Sequence, residues 1–97
     1  MDIDLLAKVA RREGVTRTKL NVLAGIDGFI QENGYSPSIR ELSSQLGIKS
    51  HSSVHFHLEV LEREGFISRH PGRARSCRMT YKAERALEAL GVRLLAS

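Results

Sequence analysis

Apolar side chains recur every three to four residues through most of the chain, a spacing that predicts amphipathic helices. The apolar stripes predict five helices, at about residues 2–12, 16–33, 38–46, 51–64 and 82–95. A glycine follows closely after each of the first four ranges, and glycine is the residue that most often ends a helix. Thr16 or Thr18 is suited to cap the second helix. Ser38 and Glu41 have the spacing of a capping box at the start of the third.

The third and fourth predicted helices are joined by a short turn that contains Gly47, which is the helix-turn-helix pattern. The fourth helix carries a single apolar stripe, formed by Val54, Leu58 and Leu61. Gly25 and Gly28 lie inside the second helix, and each weakens it by about 1 kcal/mol relative to alanine. One hypothesis is that they mark close packing against a neighbour that the sequence does not identify.

After Gly65 the apolar period changes from 3.6 to 2, which predicts a hairpin of two short strands. We expect strands at 66–69 and 75–80, with Cys77 and Met79 facing inward. Helices followed by a hairpin predict a winged helix-turn-helix, a mainly α (α+β) fold, with an additional helix at each terminus. The domain organisation is a single unit at 1–97, divided into an extension helix at 1–14, the winged helix at 16–80 and a C-terminal helix at 81–97.

The composition restricts the class of protein and the cellular compartment that we expect for this domain. A length of 97 residues, 41% of them hydrophobic and 27% charged, fits one small globular domain. No apolar run approaches a membrane span, and acidic residues occupy the start, where a secretory signal would be basic. A single cysteine, Cys77, excludes an internal disulfide, and His51 with His55 lacks further ligands for a metal. We therefore expect a cytoplasmic protein without metal or cofactor.

Charge is distributed unevenly along the chain. The formal net charge is +4, and the segment 69–82 holds five basic residues and no acidic one. Such a cluster is expected where a protein contacts phosphates, although a solvated surface would have the same composition.

The segments GYSPSIREL (34–42), GIKSHSSVHFHL (47–58) and LEREGFISR (61–69) closely resemble the DNA-binding domain of LexA-type repressors. The resemblance continues without a gap through the predicted hairpin and covers about residues 16–80. It implies a winged-helix fold that binds double-stranded DNA at an operator.

The chain also departs from that family. LexA repressors carry a C-terminal peptidase domain with a Ser–Lys dyad and an Ala-Gly cleavage site in the linker. This sequence stops at Ser97, and its Ala24-Gly25 pair lies inside a predicted helix. No nucleophile elbow or phosphate-binding glycine loop is present, so we expect no enzyme activity. A stand-alone relative and a fragment of a longer repressor both remain open; the amphipathic C-terminal helix favours the first.

The fourth helix carries the predicted base contacts. Its phase directs four side chains away from the apolar stripe, and the resemblance implies base contacts at the same positions: Ser52, Ser53, His55 and Phe56. Serine and imidazole can hydrogen-bond base edges, and phenylalanine can pack on a thymine methyl. An alternative for Phe56 is that its ring folds back onto the wing.

Predicted phosphate contacts lie around this helix and in the hairpin, at Lys49, Ser50, Arg40, Arg69, Arg73 and Arg75. Arg73 could instead reach the minor groove, and Arg40 could merely solvate its helix.

These features predict a dimeric repressor that binds a palindromic operator, with one recognition helix in each half-site. The expected dimer interface comprises apolar residues of the terminal helices, Ile3, Leu6, Leu87, Leu90 and Leu94. The alternative is that these residues cap the core of the monomer. Two other functions stay open: a winged helix that binds a protein of the transcription machinery, and the DNA-binding fragment of a longer self-cleaving repressor.

Overall fold

The computed structural model describes residues 16–89 and Gly91. The predicted extension helix at 1–14 lies outside the described residues. The same is true of four of the predicted interface residues, Ile3, Leu6, Leu90 and Leu94.

The described residues form four helices and one two-stranded antiparallel sheet. In chain order these are α1 (Arg17–Asn33), α2 (Ile39–Leu46), α3 (His51–Arg63), β1 (Ile67–Ser68), β2 (Arg78–Met79) and α4 (Tyr81–Ala89). The sheet is a hairpin in which Ile67 pairs with Met79 and Ser68 with Arg78. We call residues 66–79 the wing. The winged helix-turn-helix predicted from the sequence is confirmed, and the helices begin within about one residue of the predicted positions.

Side chains that cap the backbone explain where the helices begin. Thr16 caps α1 by accepting a hydrogen bond from Lys19 N at 3.2 Å, which decides between the two candidate threonines. At α2, Ser38 Oγ accepts from Glu41 N at 3.1 Å, and Glu41 Oε1 accepts from Ser38 N at 2.9 Å. This is the predicted capping box, which satisfies two amides that the helix itself leaves without a partner.

The turn between α2 and α3 is fixed by Ser43 and Gly47. Gly47 ends α2 in the left-handed region, with φ at +69°. Ile48 N donates to Ser43 O at 3.0 Å, and the buried Ser43 hydroxyl donates to Ile48 O. Two bonds between the same pair of residues fix the path of the chain as it leaves α2 towards α3.

A single hydrophobic core joins all the elements. Its buried members include Leu23 and Ile26 of α1, the predicted stripe of α3, and Phe66 at the start of the wing. Leu87 of α4 is also part of it and is fully buried. The prediction that Leu87 lies in a dimer interface is therefore wrong, because its side chain packs inside the monomer and has no surface left for a partner.

Of the two helical glycines, only Gly25 marks a close approach. A β-carbon at Gly25 would lie 3.0 Å from Leu46 Cδ2, and Gln45 Nε2 donates to the Gly25 carbonyl at 3.1 Å. Gly28 is exposed and has open space around it. The end of α2 is thus the neighbour against which α1 packs at Gly25, which the sequence did not identify.

The wing has less regular pairing than predicted. The strands at 66–69 and 75–80 shrink to two residue pairs. Towards the tip, Ser76 bonds the turn instead: its Oγ accepts from His70 N at 3.0 Å and donates to Arg73 O at 2.9 Å. A side chain thus takes the His70 amide, the next group along β1 that a longer ladder could have used. Cys77 is nevertheless buried and Arg78 exposed, as the alternation predicts.

Candidate nucleic-acid interface

Helix α3 presents a polar surface on the side opposite its buried stripe. Ser52 and His55 are exposed, Ser53 is half-buried, and 60% of Phe56 is exposed. The fold therefore brings the four predicted base-contacting residues together on the first half of one helix. A helix that enters the major groove uses such a surface to contact base edges.

Phe56 does not fold back onto the wing. Its ring lies beside His57, with the centroids 5.9 Å apart, and borders a cleft of about 220 Å³ next to Thr16 and Lys19 at the start of α1. The wing lies on another side of α3, where His55 and Leu58 line a different cleft. Most of the phenylalanine ring is thus available to a ligand of α3.

The start of α3 combines a positive side chain with the positive end of the helix. Ser50 caps the helix by accepting from Ser53 N at 3.3 Å, and Lys49 immediately before it is exposed. Backbone amides at a helix start favour anions such as phosphate. The Ser50 hydroxyl accepts in the cap and keeps its own hydrogen to donate, so Ser50 remains a predicted phosphate contact together with Lys49 and the amides.

The predicted phosphate-contacting arginines divide into two groups. Arg40 and Arg73 are exposed and form no ion pair with any residue that the structure describes. Arg69 Nη2 lies 3.2 Å from Glu62 Oε1 of α3, and Arg75 Nη1 lies 2.6 Å from Glu41 Oε1 of α2. This division could not be predicted from the sequence, since each acidic partner is distant in the chain or belongs to a helix face expected to be solvated.

An open cleft of about 440 Å³ separates the wing from α3 and the start of α2. Pro37, Ile39 and Leu58 supply apolar wall, while His55 and Arg69 supply polar groups. The wing thus stands apart from α3 and leaves a groove next to the predicted base-contacting face.

Tyr35 and Glu41 are two further residues of this region, and sequence analysis missed their role. Both contact the Arg75 side chain, whose Cζ lies 4.9 Å from the centroid of the Tyr35 ring. Hydrogen bonding to the Ser38 backbone, followed by the bond to Arg75, holds the pKa of Glu41 below its ordinary value. The carboxylate is therefore charged at neutral pH. Only the opposite charges of Glu41 and Arg75 could have suggested their pairing.

Cys77 behaves as a small apolar residue. Burial raises the pKa of its thiol to about 11, so the thiol stays protonated at neutral pH. Within residues 16–89 and 91, no three His, Cys, Asp or Glu side chains are grouped so that they could hold a metal ion. No helix in the same part of the chain has the length and apolar character needed to cross a membrane.

The three-helix core, the wing and the exposed face of α3 define a winged helix-turn-helix protein. A solved structure supports the fold: a Mycobacterium tuberculosis transcriptional regulator, MosR, superposes with a TM-score of 0.68 at 24% identity, over 92% of this chain and 63% of that one. The family model of the LexA DNA binding domain matches residues 12–76. The chain belongs to that family.

Relatives in this family are repressors of greater length. The LexA repressor of Anaeromyxobacter dehalogenans is 43% identical over 75 residues, which cover 77% of this chain and 33% of the relative. The LexA repressor of Carboxydothermus hydrogenoformans is 39% identical over 69 residues, covering 71% and 33%. The chain thus spans about a third of the length of these relatives.

Proposed function

We propose that this chain binds double-stranded DNA as a bacterial transcriptional repressor, with α3 in the major groove and the wing beside the backbone. The observation that carries the proposal is the exposed face of α3, where Ser52, His55 and Phe56 point away from the core within a matched LexA DNA-binding domain. Because the matched family is a DNA-binding domain, we propose a binding role rather than a catalytic one, exercised in the cytoplasm.

The surroundings of α3 support contact with phosphates. Lys49, Arg40 and Arg73 are exposed cations without an ion pair to any described residue. Each phosphate that such a cation neutralises adds about 0.9 to the salt slope of DNA binding. Base contacts by the four predicted residues would then select the operator sequence.

Selection from random duplex DNA at two salt concentrations tests this function. We expect one enriched motif and an affinity that falls steeply as salt rises.

Substitutions separate base contacts from phosphate contacts. His55→Ala should relax the preference at one base pair by about 1–3 kcal/mol. Lys49→Ala should weaken all sequences alike and lower the salt slope by about 0.9. Arg85→Ala is the matched control, since Arg85 is an exposed cation on α4; its slope should equal that of the unmodified chain.

We further propose that the repressor acts as a homodimer on a palindromic operator. A single DNA-binding module buries only about 600–1,000 Å² of protein surface, so two modules on one operator give a more stable complex. With Leu87 in the core, the proposed interface consists of Ile3, Leu6, Leu90 and Leu94. Sedimentation of the chain with Leu90→Glu should show monomers that bind a single half-site, and an unchanged dimer would refute this interface.

A protein partner from the transcription machinery is the second candidate. The exposed Phe56 favours it, because a large aromatic ring open to solvent is a common anchor in protein interfaces. If no duplex sequence is enriched at either salt concentration, and a transcription protein binds in a manner that Phe56→Ala abolishes, this function replaces the first.

A further inference from the structure

Arg75 joins the wing to a distant part of the chain through three contacts. Its Nη1 lies 2.6 Å from Glu41 Oε1 and donates to the Ser36 carbonyl at 3.2 Å. Its Cζ lies 4.9 Å from the centroid of the Tyr35 ring. All three partners belong to the start of α2 and the segment before it. We call this set of contacts the clasp.

The backbone at Arg75 has an unusual conformation at the residue that forms the clasp. Arg75 has φ at +54°, and no other non-glycine residue described here has a positive φ. An arginine in the left-handed region is strained, and such a conformation persists where surrounding contacts fix it. The guanidinium contacts supply that constraint at the point where the chain turns back towards β2.

Glu41 is a firm anchor for the clasp, because the capping box already fixes its side chain. Its Oε1 accepts from Ser38 N at 2.9 Å as well as from Arg75. The position of the Arg75 guanidinium is therefore set by the N-terminal cap of α2. Apart from its buried base at Phe66, Ile67 and Cys77, the wing contributes only two paired residues on each strand.

Arg75 and its neighbour Arg73 differ in whether an acidic side chain neutralises their charge. Glu41 neutralises Arg75, whereas Arg73 is exposed at the wing turn and pairs with no acidic residue in the described part of the chain. We infer that Arg75 is a positioning residue: it holds the wing at a fixed place beside α3, while Arg73 is the wing cation that meets phosphate. This inference rests on the proposed DNA binding and is an alternative to the sequence-based prediction that Arg75 itself contacts phosphate.

The salt dependence of DNA binding distinguishes positioning from phosphate contact. On the selected operator, Arg75→Gln should weaken binding about fivefold and leave the salt slope unchanged. Arg73→Gln should lower the slope by about 0.9. Arg75→Lys keeps the charge without the planar group that stacks on Tyr35, so it should weaken binding with an unchanged slope as well. A slope lowered by about 0.9 in Arg75→Gln and preserved affinity in Arg75→Lys would overturn the inference.

Glu41→Gln gives the sharpest contrast between the two roles. The amide can still accept from Ser38 N, so the variant removes the charge and keeps the capping bond. If the clasp positions the wing, Glu41→Gln weakens binding, and the double variant with Arg75→Gln is no weaker than either single one. If Arg75 must leave Glu41 to reach a phosphate, Glu41→Gln tightens binding instead, which would overturn the inference.

Amide hydrogen exchange in the free protein separates this inference from the proposed function. Arg75→Gln and Glu41→Gln should speed exchange in residues 69–77 about fivefold relative to Arg73→Gln, with α1 amides unchanged as a control for folding. A chain that binds no duplex yet shows this pattern would refute the proposed function and retain the clasp. Wing amides that exchange at the same rate in all three variants would refute the clasp, whatever the DNA results.

Discussion

The paired helices α2 and α3 and the wing flank the same groove, but different forces hold them in place. The helices share a core of fully buried side chains and are locked by a capping box, a left-handed glycine and the Ser43–Ile48 bonds. The base of the wing shares this core through the buried Phe66, Ile67 and Cys77 and has two ladder pairs. The outer wing, residues 69–76, is held by single side chains, Ser76 within the hairpin and Arg75 and Arg69 towards the helices. The face of α3 that we propose contacts bases is therefore firmly held, whereas the position of the outer wing depends on a few exchangeable polar contacts.

This difference fits the separate tasks that we propose for the two regions in DNA binding. A surface that discriminates between base edges needs its side chains held to within a fraction of an ångström, and the helix core provides this. A wing that follows the phosphate backbone tolerates a looser attachment, because phosphates occur along every duplex and carry no sequence information. Substitutions in the two regions should accordingly differ in their cost to stability.

The largest contrast is expected from removing one apolar side chain in each region. Leu61→Ala in α3 leaves a cavity in the core and should lower the free energy of unfolding by about 2–5 kcal/mol. Met79→Ala in the wing should cost about half as much or less, because Met79 is only half-buried. Urea unfolding of both variants measures the two costs. Equal losses would show that the wing is as firmly integrated as the helices.

A smaller effect is expected from the cap of α2. Ser38→Ala removes the acceptor for Glu41 N and should destabilise the protein by about 1 kcal/mol. Ser44→Ala is the matched control in the same helix, because the Ser44 side chain is exposed and forms no capping bond. Thermal unfolding should lower the Tm of the first variant only. A Tm unchanged in both variants would mean that the capping box does not lock the helix pair.

Replacing either of the two glycines inside α1 by alanine tests how closely α1 packs against α2. Gly28→Ala should raise the free energy of unfolding by up to about 1 kcal/mol, because the position is open and alanine is the better helix former. Gly25→Ala gains the same propensity but must displace Leu46 Cδ2, 3.0 Å from the new methyl group. It should therefore be less stable than Gly28→Ala. If the two variants are equally stable, the contact between α1 and α2 is looser than the structure indicates.

The smallest expected effect is the pH dependence of the stability that Glu41 contributes by joining α2 to the wing. Because the folded pKa of Glu41 lies below its ordinary value of 4.5, its bonds contribute stability above pH 4.5 that is lost as pH falls through the folded pKa. The Tm difference between the unmodified chain and Glu41→Gln should therefore be greatest near neutral pH and shrink in acid. A difference independent of pH would mean that the charge of Glu41 plays no part in holding the wing.

Local signals explain which parts of this structure could be predicted from the sequence. Thr16, Ser38 and Gly47 act within a few residues of their own positions, so the sequence indicates where the helices start and stop. The four base-contacting candidates follow from the phase of one helix. By contrast, the short strands depend on what Ser76 bonds, and the pairing of Arg75 depends on a partner 34 residues away in the sequence.

Leu87 shows a different limit of sequence analysis. An apolar stripe on a terminal helix has the same pattern whether it faces a partner subunit or the core of its own chain. Only the packing of α4 against α1 shows that Leu87 is covered from within.

The burial of Cys77 has a kinetic consequence. It is the only cysteine of the chain and lies just before β2, covered on the side that faces the core. An alkylating reagent can reach the sulfur only during an excursion in which the hairpin lifts away. When reclosing is faster than the chemical step, the labelling rate equals the reaction rate of a free thiol multiplied by the opening equilibrium constant. Many openings then precede each alkylation, so the labelling rate of Cys77 measures the free energy of opening the wing and not the number of openings.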